Sequence, residues 1–479
     1  MEPDCSKRAR SGWVRTAADL PTRPFTDRIL GVATNLSKVS VLTLDYAEVK
    51  PRMARTTKRT YRAVPGSGVR RIWAGGQPSL SGGRLARQGF VYYAFDGWPI
   101  RDLARSFSAE LAQELTEAEN EVRRLNDDPP RTQLLEAVAR QLLRSEAVAS
   151  SRIEGFELSH RKLAEAAFDP EDTSLNARAV LGNVRAMDEA IRFASEQLDL
   201  TVTEIRTIHR RLFEGTRDAA IGGVIRNSQN WIGGRDNPWG ARFIPVPEDQ
   251  VTRLLDDLCR FAARDDLSAI AQAAVVHAQF ETIHPFSDGN GRVGRSLIHL
   301  VLRRRGLAPY YVPPVSLILA ANYEEYERGL TTFREEQVEE WCGIFARAVT
   351  IACRGAAELA TRIEELKARW REQAGSPRAD SAAAKLIDLL PVQPVLDMRT
   401  VQDALDVSDE AARLGIARLE SAGILSEITK RKRGRAWESV GLFALLDSFE
   451  RLVATPTGGS TPMRRAPRPT RRPSKIAAR

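Results

Sequence analysis

Cysteine is scarce in this 479-residue chain: Cys5, Cys259, Cys342 and Cys353 stand far apart, without metal-ligand spacing. That excludes a disulfide framework and points to a reducing compartment, the cytosol being the simplest. Long apolar runs are lacking too. No apolar segment follows the early basic residues, and the stretch from Tyr310 to Ala321 is short and broken by Pro313 and Pro314. Neither a signal peptide nor a membrane span is expected, and a membrane is no partner. Histidines number only 5, and His160, His209 and His299 belong to no ligand cluster, while His277, about two helical turns before His284, reads as a core residue. Acidic residues vanish after Met463, where Arg464, Arg465, Arg468, Arg471, Arg472, Lys475 and Arg479 supply most of the net charge of +9. The positive balance therefore belongs to a Pro-rich tail and says little about the rest of the chain.

What is present is a hydrophobic content of 43%, enough for a large core and for two folded domains with tails. Residues 1–90 have weak helical periodicity and one β-prone run near Val39–Leu44, a pattern that disorder would explain; Met53 offers an alternative start. Residues 91–370 read as mainly helical, divided into an N-terminal helical region, 91–200, and a core, 201–370. Gly375 and Pro377 mark a linker over 371–380.

Residues 284–295 read His-Pro-Phe-Ser-Asp-Gly-Asn-Gly-Arg-Val-Gly-Arg. The run Ala269–Ile283 reads as a helix, and Pro285 cannot continue it, so His284 lies where the chain leaves that helix. Gly289, Asn290 and Gly291 form a turn whose N–H groups can converge on an anion as a second helix begins. Arg292 and Arg295, three apart, share a face above the turn, with guanidinium forks that suit phosphate oxygens. Asp288 offers the hard oxygen that magnesium takes when it is shared with phosphates. The blander reading is a Gly-Asn-Gly turn between helices, with a structural histidine and surface arginines.

The run resembles, residue for residue, the signature of the Fic (Fic/DOC) family, His-Pro-Phe-x-Asp/Glu-Gly-Asn-Gly-Arg-x-x-Arg. The resemblance implies a mainly α fold: a Fic-type helical core carrying a β-hairpin flap. It also implies a protein adenylyltransferase that moves AMP from ATP, with Mg2+, to a Ser, Thr or Tyr hydroxyl of a target protein, the chain itself being one candidate. In the implied mechanism His284 removes the hydroxyl proton and Asp288 holds the metal. Gly289, Asn290 and Gly291 bind phosphates, Arg292 neutralises developing charge and Arg295 holds the γ-phosphate.

Three further stretches resemble family features. Gly233–Pro247, approached through Arg226–Gly234, resembles the flap that aligns the target by strand-like pairing, with Gly234, Phe243, Ile244 and Pro245 as its positioning residues; an ordinary surface hairpin is the alternative. Ser150-Ser151-Arg152-Ile153-Glu154-Gly155 fits the inhibitory pattern Ser/Thr-x-x-x-Glu-Gly/Asn and follows an apolar helical pattern (Leu135, Val138, Leu142, Leu143, Val148). By resemblance Glu154 pairs with Arg295 and restrains the enzyme; a solvated helix-end charge is the alternative. Asn322–Glu327 resembles a segment with paired tyrosines at the nucleotide base, which points to Tyr326, although the second tyrosine is replaced by Glu327. That departure leaves the donor nucleotide open.

Residues 381–450 read as a small winged-helix (α+β) domain: helices at Ala382–Leu390, Thr400–Leu405 and Ser408–Ala422, then strands at Ile424–Ile428 and Ala436–Val440 around a basic loop, Lys430–Arg435. Such domains bind DNA through the third helix. Here Asp409 and Glu410 occupy its first turn and oppose phosphate contact. DNA, a docked target and a second copy of the chain forming a homodimer are the partners this region allows, and a DNA-binding transcriptional regulator with an auxiliary Fic domain is the rival function. Residues 451–479 read as a basic disordered tail.

Overall fold

The structure, a computed structural model, describes residues 60–63, 68–74, 89–103, 106–127, 132–169, 173–196, 199–234, 237–428 and 434–454. The β-prone run at Val39–Leu44, Met53, the loop residues Lys430–Arg433 and the tail from 455 onward lie outside them. All described residues fall in the unit that begins at Ala54.

Helices dominate, and their starts follow local chemistry. Ser159, Ser174, Ser268 and Ser381 each accept a backbone N–H of the first turn, and Thr201 forms a capping box with Glu204. The helix expected at Ala269–Ile283 is found at those residues and is buried along its whole length. Apolar residues fall on every side of it, which explains this: it runs through the middle of the bundle, packed against Asn290–Arg304, Val251–Ala262 and Val338–Gln373.

Two departures from the expected organisation follow from packing. First, Thr60–Arg62 and Gly68–Trp73, expected within an undefined extension, pair on either side of Phe90–Phe95 in a three-stranded sheet, the first parallel and the second antiparallel. Aromatic residues at Tyr61, Trp73, Phe90 and Tyr92 give that sheet a face to bury. Second, the helix Val338–Gln373 runs into the expected linker. One hydrophobic core then continues from Phe95 to Phe449, so residues 381–450 are not packed as a separate body. Trp370 donates to Val440 O at 3.2 Å and Lys367 pairs with Asp388 at 3.0 Å across that junction.

Helices Ala382–Leu389, Met398–Leu405 and Asp409–Ser421 are accompanied by strands Leu425–Glu427 and Ala436–Ser439, with a third strand, Val395–Asp397, on the far edge of Ala436–Ser439. The added strand is three residues long, too short for a period-2 signal in sequence. A last helix, Leu442–Ala454, packs back on Val338–Gln373.

Candidate active site

His284 does not merely follow its helix; it ends it, in the left-handed region at φ 51°, with its N–H still bonded to Phe280 O. A β-carbon makes that conformation unfavourable by roughly 1–2 kcal/mol, so neighbours must impose it. Arg226 does so from 58 residues away in sequence: its Nε donates to His284 O at 2.9 Å and its backbone N–H to Pro285 O at 2.9 Å. Its Nη2 reaches Val246 O at 2.5 Å and Ile283 O at 3.2 Å, so one buried guanidinium joins the histidine to the exit of the hairpin. Asn230 adds contacts to His284 O and Phe286 O at 3.3 and 3.0 Å.

The loop beyond is held from within. Asn290 accepts the Phe286 N–H and donates to Phe286 O, both at 2.8 Å, so its side-chain amide shapes the loop and leaves phosphate contact to the backbone. Gly289 stands at φ 78°, and a β-carbon there would lie 2.7 Å from Leu212 and 2.9 Å from Phe213. Asp288, partly exposed, accepts the Gly289 N–H at 2.8 Å. Helix Asn290–Arg304 then starts without a side-chain cap, the arrangement that suits an anion.

His209 is the largest omission from the sequence reading. It lies against Phe286 with ring centroids 3.7 Å apart, its Nδ1 accepts the Gly223 N–H at 2.8 Å, and its Nε2 meets Asp288 O at 2.9 Å. An acceptor at one nitrogen and a donor at the other define a neutral ring, and burial pushes its pKa down to about 4. No local motif marks it, because its partners are 14 and 79 positions away.

The expected pairing partner of Arg295 lies beside it. Arg295 is fully buried; its Nε donates to Ser150 Oγ, and its Nη2 to Ser150 O and Glu154 Oε1, each at 2.9 Å. Helix Thr132–Ile153 closes in a Schellman turn, with Phe156 N–H on Ser151 O, Gly155 N–H on Arg152 O and Gly155 at φ 83°. Glu154 is thereby the last residue before the turn, aimed across the site. A β-carbon on Gly291 would stand 1.9 Å from Glu154 Oε1, so the carboxylate rests directly on the start of helix Asn290–Arg304. Phe156, just past the turn, lies under the Arg292 guanidinium at 4.9 Å, opposite Phe213 at 5.5 Å. Arg292 is buried rather than at the surface.

Other expected positions lie elsewhere than foreseen. Tyr326, assigned to the nucleotide base, is buried with its hydroxyl 2.9 Å from His277 Nε2. Helical period explains this: Tyr326, Leu330 and Phe333 form the inward stripe of Tyr323–Arg334. Tyr323 lies nearer the surface, where its hydroxyl accepts from Arg242 at 3.3 Å and donates to Glu327 at 3.1 Å.

The hairpin pairs Ile232 with Phe243 and Gly233 with Ala241; Arg235 and Asp236 at its tip lie outside the described residues. Of the four expected positioning residues only Gly234 is exposed. Phe243, Ile244 and Pro245 are buried, since the sheet at 60–95 covers this side: Phe95 N–H bonds Ile244 O at 2.9 Å and the Tyr61 hydroxyl bonds Ala241 O at 2.5 Å. Among the described residues no three His, Cys, Asp or Glu side chains group to hold a metal. Asp288 supplies a single carboxylate, which fits Mg2+ only when phosphate oxygens complete its shell.

Residues 199–302 match the Fic/DOC family and residues 112–192 the Fic/DOC family N-terminal region. Protein adenylyltransferase fic-1 of Caenorhabditis elegans is 32% identical over 139 residues, 27% of this chain and 26% of that protein. Protein adenylyltransferase Fic of Drosophila willistoni is 31% identical over 134 residues, again 27% and 26% of the two chains. The chain thus spans about a quarter of the length of these curated relatives. Among solved structures, a Fic family protein from Desulfovibrio desulfuricans G20 has a TM-score of 0.44 at 21% identity, covering 70% of this chain and 97% of that one. The family motif at 284–295 and the two matched regions identify residues 112–192 and 199–302 as Fic/DOC family sequence.

Proposed function

We propose that this chain is a protein adenylyltransferase that transfers AMP from ATP to a Ser, Thr or Tyr hydroxyl of a target protein, and that Glu154 restrains it. The observation that carries the reading is the contact of Glu154 with Arg295 over Gly291. A helix N-terminus and a guanidinium together attract an anion, and the chain's own carboxylate occupies that position. A triphosphate reaching Arg295 competes with it. His284, at the mouth of the same turn, is the base for the target hydroxyl; Asp288 would hold magnesium against the phosphates, and Arg292 balances charge at the reacting centre. Bound magnesium would supply charge neutralisation on the phosphates. The names of the relatives support the donor and the reaction class. A target segment approaching the hairpin would meet Gly234 and backbone rather than Phe243, Ile244 or Pro245.

The rival DNA reading finds less support, because Arg413 pairs with Asp409 and Glu410, and Arg435 with Glu420 and Glu427. Parent, Glu154→Gly and His284→Ala chains incubated with separately labelled nucleotides and a lysate test the proposal. A charge-assisted hydrogen bond contributes about 1.5–3 kcal/mol, so Glu154→Gly should raise AMP transfer roughly tenfold to a hundredfold, and His284→Ala should abolish it. Equal labelling by parent and Glu154→Gly would remove the restraint, and undiminished labelling by His284→Ala would remove the base.

A further inference from the structure

Glu281 lies one turn before His284 on the same helix, is buried, and places Oε2 3.7 Å from His284 Nδ1. It faces the neighbouring helix where that helix has no side chain: a β-carbon on Gly294 would stand 2.9 Å from Glu281 Oε1 and 3.1 Å from His277 Nδ1. Sealing a carboxylate inside a bundle is costly unless cations face it. Burial alone would raise its pKa, but His284, His277 and Arg295 hold Glu281 at about 2. Arg334 and Tyr326, from the helix Tyr323–Arg334, also face it. Glu281 is therefore ionised wherever a histidine works as a base. His284 Nδ1 and Glu281 Oε1 both lack a hydrogen-bond partner among the described residues, and a small ring rotation would bring 3.7 Å within hydrogen-bond reach.

We propose that Glu281 is the positioning residue of His284: its carboxylate keeps the proton on Nδ1, leaves Nε2 as the basic nitrogen, and stabilises the imidazolium formed during transfer. The proposal rests on the transferase reading above. In the step it serves, the target O–H bond breaks and its proton passes to Nε2. The oxygen bonds to the α-phosphorus, and the bond from phosphorus to the bridging oxygen breaks, its electron pair leaving with pyrophosphate. The Nδ1 proton stays beside Glu281 throughout, and the Nε2 proton is afterwards released to solvent. Arg226, bonded to the carbonyl of His284, fixes the backbone from which the ring swings, so backbone and ring are aimed by different residues.

The test uses the full chain labelled with nitrogen-15 histidine, whose 5 imidazoles are few enough to follow singly; loss of a signal in His284→Ala identifies that residue. Nδ1 and Nε2 shifts are recorded against pH in parent, Glu281→Gln and Glu281→Asp. The parent should show the Nδ1–H form when neutral. Glu281→Gln keeps the shape and removes the charge, so the His284 nitrogen shifts should change their pH dependence toward lower pH. The acid limb of kcat should move down with it, and kcat should fall about tenfold or more while KM for ATP changes little. Glu281→Asp, which keeps the charge but withdraws it, should lie between. A folded Glu281→Gln chain whose His284 keeps its tautomer and titration would overturn the proposal, because that is what a merely structural carboxylate would give. If the Gln variant loses its fold, the Asp variant decides: a lowered titration supports the pairing, and an unchanged one overturns it. Absence of transfer in every form, with the shift present, would sink the transferase reading and leave the pairing standing.

Discussion

At the scale of single residues, the site depends on groups kept in an unusual state by burial. His209 is the clearest case. Its Nδ1 can accept the Gly223 N–H only while the ring is neutral, and burial keeps it neutral down to about pH 4. The unfolded chain takes up that proton near pH 6.5. Below that point the unfolded state binds the proton and the folded state does not, so stability falls progressively from about pH 6.5 toward 4. His277, also held to about 4 by burial, adds to the same window. Glu450, held at about 2 by His160 and Arg152 against the effect of burial, contributes stability that is lost only between about pH 4.5 and 2. Thermal midpoints measured from pH 7.5 to 4.5 should therefore fall in the parent and fall less steeply in His209→Gln; parallel slopes would show that His209 titrates normally in the folded chain.

At the scale of elements, the end of helix Thr132–Ile153 sets where Glu154 points. Gly155 closes the turn at φ 83°, a conformation that side chains rarely adopt. Gly155→Ala should lower stability by about 1 kcal/mol and raise AMP transfer over the parent, because a turn that cannot close misdirects Glu154. Calorimetry and the transfer assay together check this; a stability loss with unchanged transfer would show that the carboxylate finds Arg295 without the turn. The same element explains what was legible in sequence. The pattern Ser150 to Gly155 contains the hydrogen-bonding serine, the carboxylate and the terminator within six residues, and helix geometry brings them to one end. Residues 284–295 are legible for the same reason: loop and helix start are local. The segment Asn322–Glu327 does not show which of Tyr323 and Tyr326 is accessible, since both carry the same side chain and only the inward stripe of their helix separates the buried one from the one nearer the surface.

At the scale of the whole molecule, residues 381–454 are tied to the segment that carries Glu154. Arg152 and His160 both bond Glu450 on the last helix, at 2.6 and 2.8 Å. Gln141 and Arg144 donate to Pro391 O and Val392 O. Further along the same helix, Glu146 meets His299 at 3.0 Å, with both side chains fully buried. The helix is thus fixed at its middle by the core and by Pro391 and Val392, and at its end by Glu450. Glu450→Gln should lower the thermal midpoint by a few degrees and raise basal AMP transfer, since Arg152, two residues before Glu154, loses its ionic anchor. A lower midpoint with transfer unchanged would mean that the C-terminal region stabilises the chain without bearing on Glu154.

The sequence by itself determined the placement of the candidate residues that lie close together: the turn 288–291, the arginines one helical turn apart, the helix that delivers His284, and the helix end at Glu154. Short-range geometry fixes such groups, because dihedral preferences and helical period act over a few residues. Only the tertiary structure decided what holds them. Arg226 on the carbonyl of His284, His209 under the loop, Phe156 against Arg292, Glu281 beside His284 and Glu450 on Arg152 all act across helix contacts. Apart from Glu281, which shares a helix with His284, their partners are far away in sequence, where no periodicity reaches. Their side chains also have ordinary alternative uses in a core, so burial and distance, rather than residue type, single them out.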